Sequence, residues 1–204
     1  LVVPSDTRCL PCLASYNERL GQYIYFNKPF SLMGGPKPDT LFLDAEEQLE
    51  LVYKMEGERS VVITKTIVFS GNSYLTNHVF TVDGGELDVP GDIEILWEGG
   101  LRPTEEKEDE DVQYGSGIIS QAGEIEDLQM KGPDQAVLRR SYIGKTEWVA
   151  VRTKYFISAL LFNDPGNFAV LSAVNASFGN RKHTPLYGAG VGYPFDTPSI
   201  ASDI

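Results

Sequence analysis

The chain is poor in the residues and patterns that usually mark a chemical activity. Cysteine and histidine occur twice each in 204 residues, and Lys and Arg together number 17 against 29 Asp and Glu. The net charge of −12 and the lack of a basic stripe argue against a nucleic-acid-binding protein, because affinity for phosphates depends on Lys and Arg displacing counterions. An anionic membrane surface would repel the chain as well.

Long apolar runs and two common catalytic motifs are also absent. No stretch approaches the roughly 20 apolar residues that a helix needs to cross a bilayer. Residues 1–4 are too short for a signal peptide and lack its charged flank. No Gly-x-Ser-x-Gly elbow occurs, and no glycine pair is followed by Lys-Ser or Lys-Thr. The sequence as given therefore predicts a soluble chain without a nucleophile elbow or a phosphate loop.

What the chain does contain is enough apolar material for a core, arranged as strands. Hydrophobic residues make up 42% and aromatic residues 11%, which suits one domain of the larger all-β kind. Short apolar runs alternate with turn residues, as is typical of an antiparallel sandwich or barrel. The predicted strands are Gln22–Phe26, Leu49–Met55, Val61–Phe69, Tyr74–Val82, Asp92–Trp97, Ile118–Gln121, Ala136–Ile143, Trp148–Leu161 and Phe168–Val174. Only residues 44–48 and 103–109 look helical, and they are too short and polar to pack a layer.

Composition divides the chain into three parts. Residues 1–20 are expected to form an irregular segment, residues 21–178 a β-sandwich domain, and residues 179–204 a loosely ordered tail rich in Gly and Pro. The first part holds Cys9 and Cys12, whose spacing fits a redox pair or half of a zinc site. A redox pair needs a strand-helix unit and zinc needs two more soft ligands, so we interpret them as a terminal pair, reduced or locally disulfide-bonded.

Residues 147–161 carry the clearest pattern in the chain. Every second residue from Val149 to Leu161 is apolar except the one at position 153, whereas Arg152 and Lys154 fall on the other face. This alternation predicts one strand, Trp148–Leu161, with one face buried.

Trp97 ends another predicted strand and is followed at once by Gly99 and Gly100. An aromatic residue in this position is mostly a core residue beside a bulge or turn, and the alternative is an aromatic platform at the edge of a cleft. The acidic residues 105–111 predict a solvated loop, because they lack the alternating spacing and central Gly of a calcium-binding loop.

The two histidines are the only candidates for acid-base chemistry centred on His. His78 lies in an alternating strand, where we expect it to face solvent, and His183 lies in the predicted tail. No Glu in an apolar setting has a His at a suggestive position, so sugar epimerisation is not favoured.

Three stretches and the acidic run that leads to Tyr114 are the most distinctive motifs of the chain. The stretches are ITKTIVFSGNSY at residues 63–74, LWEGGLRPTE at residues 96–105 and EWVAVRTKYFISALL at residues 147–161. In this order they resemble the large periplasmic domain of YidC-type membrane protein insertases of bacteria. The resemblance implies an antiparallel β-supersandwich, similar to that of galactose mutarotases, with few short helices, and it implies a piece of a longer protein.

The resemblance also implies which residues belong to the family signature, with a structural rather than a catalytic role. They are Trp97, Gly99, Gly100, Glu105, Trp148, Lys154, Tyr155 and Phe156. It implies no enzyme activity and no catalytic, cofactor-binding or metal-binding residue.

The function that the resemblance implies is support for the insertion and folding of inner-membrane proteins, at the periplasmic face of the bacterial inner membrane. The implied partners are the Sec translocon with its accessory subunits and nascent inner-membrane proteins, and contact with the membrane is expected only through segments outside this chain. One alternative is a carbohydrate-binding or mutarotase-like protein that stacks sugars on Trp97 or a Tyr, since a shared fold does not fix the chemistry. Another is a free-standing periplasmic interaction domain.

Overall fold

The structure, a computed structural model, describes residues 11–26, 28–34, 40–57, 60–84, 89–101, 108–131, 137–178 and 181–204. The elements within these ranges are β1 (Cys12–Asn17), β2 (Gln22–Tyr25), β3 (Ser31–Leu32), β4 (Gln48–Glu56), β5 (Val62–Ser70), β6 (Thr76–Asp83), β7 (Ile93–Trp97), α1 (Glu108–Tyr114), β8 (Ser116–Gln121), β9 (Glu124–Leu128), β10 (Val137–Arg152), β11 (Ile157–Phe178), β12 (Arg181–Tyr193) and β13 (Ser199–Asp203). The predicted all-β class is confirmed.

The strands form one antiparallel sheet with two halves. The main path runs β2-β1-β7-β12-β11-β13-β6-β5-β4-β3, while β10 pairs with β11 and β8, and β9 pairs with β8. β11 is 22 residues long, so its beginning pairs with β13 and its later part with β12. We call β2, β1, β7 and β12, with the parts of β10 and β11 beside them, the first half. The other strands are the second half.

The core brings both halves together. It includes Ile95 of β7, Leu171 of β11 and Val191 of β12 from the first half, and Ile63 of β5 and Phe80 of β6 from the second. All five are nearly inaccessible to solvent. Because strand side chains alternate between faces, each half contributes one apolar face to this core, as in a sandwich.

The predicted three-stranded meander is confirmed. β4, β5 and β6 pair in sequence order, from Gln48 against Ser70 to Val62 against Asp83. The turn at Gly71 is packed so closely that a Cβ atom there would lie 1.8 Å from the carbonyl oxygen of Asp44. Glycine is therefore required at this reversal, in agreement with its turn signal.

The prediction of one strand over Trp148–Leu161 is wrong. β10 ends at Arg152 and β11 begins at Ile157, and between them the N–H of Thr153 donates to the carbonyl oxygen of Phe156 at 2.8 Å. This hairpin shifts the alternation by one residue, so that Leu160 is buried and Leu161 is exposed. A strand pattern cannot show a tight hairpin when the turn residues themselves continue the alternation.

The described residues of the predicted irregular segment 1–20 and of the predicted loosely ordered tail 179–204 contain strands. β12 lies between β7 and β11 inside the sheet, and β13 lies between β11 and β6. β1, within the predicted irregular segment, pairs with β2 and β7. How the chain divides into domains near residues 20 and 178 remains a prediction.

Smaller expectations have mixed outcomes. Residues 45–46 form a turn rather than a helix, and α1 begins at Glu108, at the end of the predicted helical stretch 103–109. Cys12 is disulfide-bonded, whereas Cys9 lies outside the described residues. His78 is 7% exposed, so the expectation that it faces solvent is wrong. His183 belongs to β12, and its side chain is outside the description.

Candidate functional site

Four segments, three of which overlap the family-like motifs, meet at one end of the sandwich. They are the turn after β7, helix α1, the hairpin between β10 and β11, and the beginning of β12. They surround a small surface pocket. Its lining residues are Leu101, Gly115, Val151, Arg152, Thr153, Thr184, Pro185 and Tyr187. We call this region the hairpin end.

The turn after β7 explains why this segment contains two glycines. Gly99 and Gly100 have φ angles of 92° and 61°, in the left-handed region that favours glycine. A Cβ atom on Gly100 would lie 3.1 Å from the backbone nitrogen of Tyr187, so the turn packs directly on β12. Trp97 is 8% exposed and belongs to the core, which confirms the buried interpretation and removes it as a sugar-stacking platform.

Lys154 joins the hairpin to helix α1. Its ammonium lies 2.7 Å from a carboxylate oxygen of Glu110, 4.8 Å from the ring centre of Tyr155 and 5.7 Å from that of Tyr114. The hydrogen bond to Glu110 raises the pKa of Lys154, so the ammonium stays charged. Helix α1 is therefore held against the hairpin by one ion pair, to Glu110, and one cation-π contact, to Tyr114.

The pocket of the hairpin end is polar but has no catalytic geometry. Arg152 donates from Nε to Ser116 Oγ at 2.9 Å, and Thr184 Oγ1 is buried without a hydrogen-bond partner. Among the described residues that line it, none is a histidine, a cysteine or a carboxylate. Within the described ranges, His, Cys, Asp and Glu form no group that could hold a metal ion.

Exposed aromatic side chains are concentrated at the hairpin end and at the neighbouring strand ends on the same side of the sheet. In the described part of the chain, the exposed aromatic residues are Phe42, Tyr74, Tyr114, Tyr155, Phe156 and Phe195. The first five lie on segments that share one end of the sheet. Strand register places the hairpin, the start of β6 and the end of β5 there, because Leu161 pairs with Asp203, Asp203 with Asn77 and Asn77 with Val68. Tyr74 precedes β6 at this end, Tyr114 is joined to the hairpin by Lys154, and Phe42 lies two residues before Asp44, which packs against the turn at Gly71. We call these five residues the aromatic rim.

Other signature residues lie apart from this end. Trp148 is half-buried on β10, where it pairs with Ser120 of β8 and Leu161 of β11. Glu105 lies outside the described residues. The hairpin end thus unites Trp97, Gly99, Gly100, Lys154, Tyr155 and Phe156. Their role as family-signature residues remains a prediction.

β9 is an open edge of the sheet. It pairs with β8 and with no other strand of the described part. Its residues from Glu124 to Asp127 are exposed, with Ile125 at 65% exposure between two glutamates. Such an edge offers unpaired backbone groups to another chain, and charged residues along it limit self-association.

A buried charged cluster lies on the outer face of the first half, and no motif predicted it. Arg139 Nη2 lies 2.7 Å from Glu94 Oε1, Tyr23 donates from its hydroxyl to Glu94 Oε2 at 2.8 Å, and Arg139 Nε donates to the Tyr23 hydroxyl at 3.2 Å. The guanidinium also lies 4.2 Å from the ring centre of Tyr16 and 5.9 Å from that of Phe168. We call these five residues the arginine network.

The pKa shifts in the arginine network follow from its burial. Burial raises the pKa of Glu94, opposed by the guanidinium of Arg139. Burial and the carboxylate of Glu94 raise the pKa of Tyr23, which therefore keeps its proton and acts as a donor. Burial acts to lower the pKa of Arg139, and Glu94 more than offsets this and raises it. Each polar group has a partner, as a buried ion pair requires.

Glycines in β12 make room for the arginine network. Gly188, Gly190 and Gly192 alternate along one face, opposite the core-facing Tyr187 and Val191. A Cβ atom on Gly192 would lie 1.9 Å from Phe168 Cζ, and one on Gly190 would lie 2.4 Å from Leu96 Cδ2. Glycine at every second position of a strand is the sequence signal for this arrangement, because it marks a strand face on which side chains of neighbouring strands lie close to the backbone.

A second buried polar group lies in the second half of the sheet. His78 bonds through Nε2 to Thr76 Oγ1 at 3.0 Å, and its Nδ1 has no hydrogen-bond partner. Burial lowers the pKa of His78 to about 4, with Lys65 also lowering it and Asp203 opposing. Burial likewise lowers the pKa of Lys65 to about 8, and its ammonium donates to the Pro11 carbonyl oxygen at 2.9 Å. This arrangement favours neutral His78 at neutral pH.

No helix in the described residues has the length and apolar character needed to span a membrane.

Comparisons with known proteins agree with the sequence motifs. Among curated proteins, the membrane protein insertase YidC of Prosthecochloris aestuarii is 30% identical over 121 residues, 57% of this chain and 20% of that protein. The insertase YidC of Chlorobium phaeovibrioides is 28% identical over 129 residues, 62% of this chain and 22% of that protein. The chain thus spans about a fifth of the length of these relatives, which are named for membrane protein insertion.

The match to a protein family covers most of the chain. The model described as the YidC periplasmic domain matches residues 35–192, which include β4 through almost all of β12 and so both halves of the sheet. The expected family is thereby confirmed. This chain belongs to the YidC periplasmic domain family.

Proposed function

We propose that this chain is a non-catalytic periplasmic part of a YidC-type insertase, which supports insertion and folding of inner-membrane proteins at the periplasmic face of the inner membrane. Its partners in this role are the Sec translocon with its accessory subunits, or substrate proteins. The relatives' names supply the process, and the open edge of the sheet supplies a means of contact.

The observation that carries the proposal is the exposed edge strand β9. A partner segment in extended conformation adds to such an edge through backbone hydrogen bonds, and alternate side chains provide specificity. Ile125 offers an apolar anchor, while Glu124 and Glu126 favour a partner segment with positive charge. The described lining of the pocket at the hairpin end holds no histidine, cysteine or carboxylate that would favour a competing catalytic role.

Site-specific photo-crosslinking in the parent insertase tests this proposal. A photoreactive residue at Ile125 is expected to give adducts with Sec subunits or a nascent membrane protein. The matched control is Val174, an exposed apolar residue on β11, which pairs with Leu186 of β12 inside the sheet. Adducts at least several-fold stronger at Ile125 than at Val174 support the proposal. Equal labelling at both positions, or none at either, refutes contact through the β9 edge.

A further inference from the structure

We propose that the aromatic rim rests in the interface of a zwitterionic lipid bilayer. This goes beyond partner docking, although it rests on the proposed function in that it places the domain beside a membrane. Five of the six exposed aromatic residues of the described chain lie at one end of the sheet. Tyrosine and other amphipathic aromatic residues favour the headgroup region of a bilayer, where the ring is buried and the polar end stays wet.

The exposure and spacing of the rim side chains fit a lipid surface better than a protein partner. Tyr74 and Phe42 are almost fully exposed, at 105% and 91%, and they stand on different loops. From β11 to β4 the rim crosses four strand spacings, or about 19 Å. A protein partner needs a contiguous, well-packed patch with a central anchor. A lipid interface accepts separate protruding side chains independently.

Charge decides which lipid the rim fits. The chain carries a net charge of −12, and the one lysine at the hairpin is paired with Glu110. Asp44, Glu46 and Glu47 stand beside the loop that carries Phe42, and all three are exposed. Anionic headgroups would therefore be repelled, so apolar burial at a neutral interface must provide the attraction.

Vesicle flotation with the purified 204-residue chain tests the inference. The parent chain is expected to float with phosphatidylcholine vesicles at high lipid concentration, to remain bound at high salt, and to bind less when anionic lipid is added. The variant Phe42→Ser/Tyr74→Ser should reduce the partition coefficient about tenfold, which corresponds to about 1.4 kcal/mol for the two side chains. The matched control is Phe195→Ser, which removes an aromatic side chain exposed at 60% and located away from the rim.

Three outcomes overturn the inference. They are absence of flotation by the parent chain, equal loss of flotation in the control and rim variants, and binding that requires anionic lipid and disappears at high salt. Each result is independent of crosslinking at Ile125. Loss of flotation with intact Ile125 adducts would refute lipid contact alone, and intact flotation without adducts would refute only the β9 contact.

Discussion

The arginine network and the aromatic rim reverse the usual distribution of residue types. In the network, Glu94 is 1% exposed and the side chain of Arg139 is 12% exposed, although both are charged. At the rim, Tyr74 and Phe42 are almost fully exposed, although both are aromatic. The informative features of a fold are buried polar groups and exposed apolar ones, because each costs free energy unless something compensates.

The two regions differ in whether that compensation lies within the chain. Each carboxylate oxygen of Glu94 has a donor, and the guanidinium of Arg139 is covered by aromatic rings. No ring contact within the described residues involves Phe42 or Tyr74. We therefore expect substitutions in the network to change stability, and substitutions in the rim to change binding instead.

The largest expected effect on stability comes from removing the positive charge of the arginine network. Arg139→Met leaves Glu94 buried without its counter-ion, and such a change costs about 3–5 kcal/mol in the free energy of unfolding. Urea denaturation measures this loss. The matched control is Arg140→Met at the exposed neighbouring position, which should change the free energy of unfolding by less than about 0.5 kcal/mol. Adding Glu94→Leu to Arg139→Met should recover much of the loss. Equal effects of the two arginine variants would mean that the ion pair does not stabilise the fold.

His78 sharpens the comparison because it is buried and no residue of the described part of the chain forms an ion pair with it. Its pKa falls from 6.5 to about 4 on folding, so below pH 6.5 the unfolded chain binds a proton that the folded chain does not. Stability from this group is therefore complete above pH 6.5 and is lost as the pH falls towards 4, by about 2–3 kcal/mol. Unfolding measured across this range should show a shallower slope for His78→Leu. An unchanged slope would place the acid sensitivity in the carboxylates instead.

The glycine face of β12 provides a third, smaller test. A Cβ on Gly190 would lie 2.4 Å from Leu96 Cδ2 and 2.7 Å from the backbone oxygen of Ile95, so Gly190→Ala forces the strands apart. Overpacking of this kind costs about 1–3 kcal/mol. Gly57→Ala is the control, since its nearest contact would be 3.3 Å away. Thermal denaturation should give a clearly lower Tm for Gly190→Ala alone, and matching Tm values would argue against a packing role for the glycines.

The smallest expected effect is at the aromatic rim. Tyr74→Ser and Phe42→Ser remove side chains that are almost wholly in solvent, so each should change the free energy of unfolding by less than about 0.5 kcal/mol. Urea denaturation checks this beside the flotation assay. A loss above about 1 kcal/mol would show that these side chains pack in solution, and the contrast with the network would then fail.

Local patterns predicted much of the fold. The meander of β4, β5 and β6 follows from alternation and turn residues, and each observed boundary lies close to the predicted one. The hairpin at Thr153–Phe156 was missed, because its residues continue the alternation of the strands on both sides. The order of β12 was missed because its glycines and proline predict a loose tail when no neighbouring strand is considered.

The hairpin end was also predicted only in part. Trp97, Gly99 and Gly100 were predicted as a strand end followed by a turn, and Lys154 as a residue off the apolar face. The segments that carry them meet at one pocket, whose lining residues are far apart in the chain, from Leu101 to Tyr187. Motif spacing carries no information on such distances, since strand order in the sheet sets them.

The sequence by itself determined the strand class, the acidic character and the family, because alternation, composition and ordered motifs are properties of short stretches. Tertiary structure decided which groups became buried. Arg139 and Glu94 are separated by 45 residues, yet they form an ion pair. Their strands, β10 and β7, lie in the same sheet with only β11 and β12 between them, and the glycines of β12 leave space for the two side chains to meet. Burial is a property of the assembled sheet, and for this reason the arginine network, the neutral His78 and the aromatic rim emerged only with the fold.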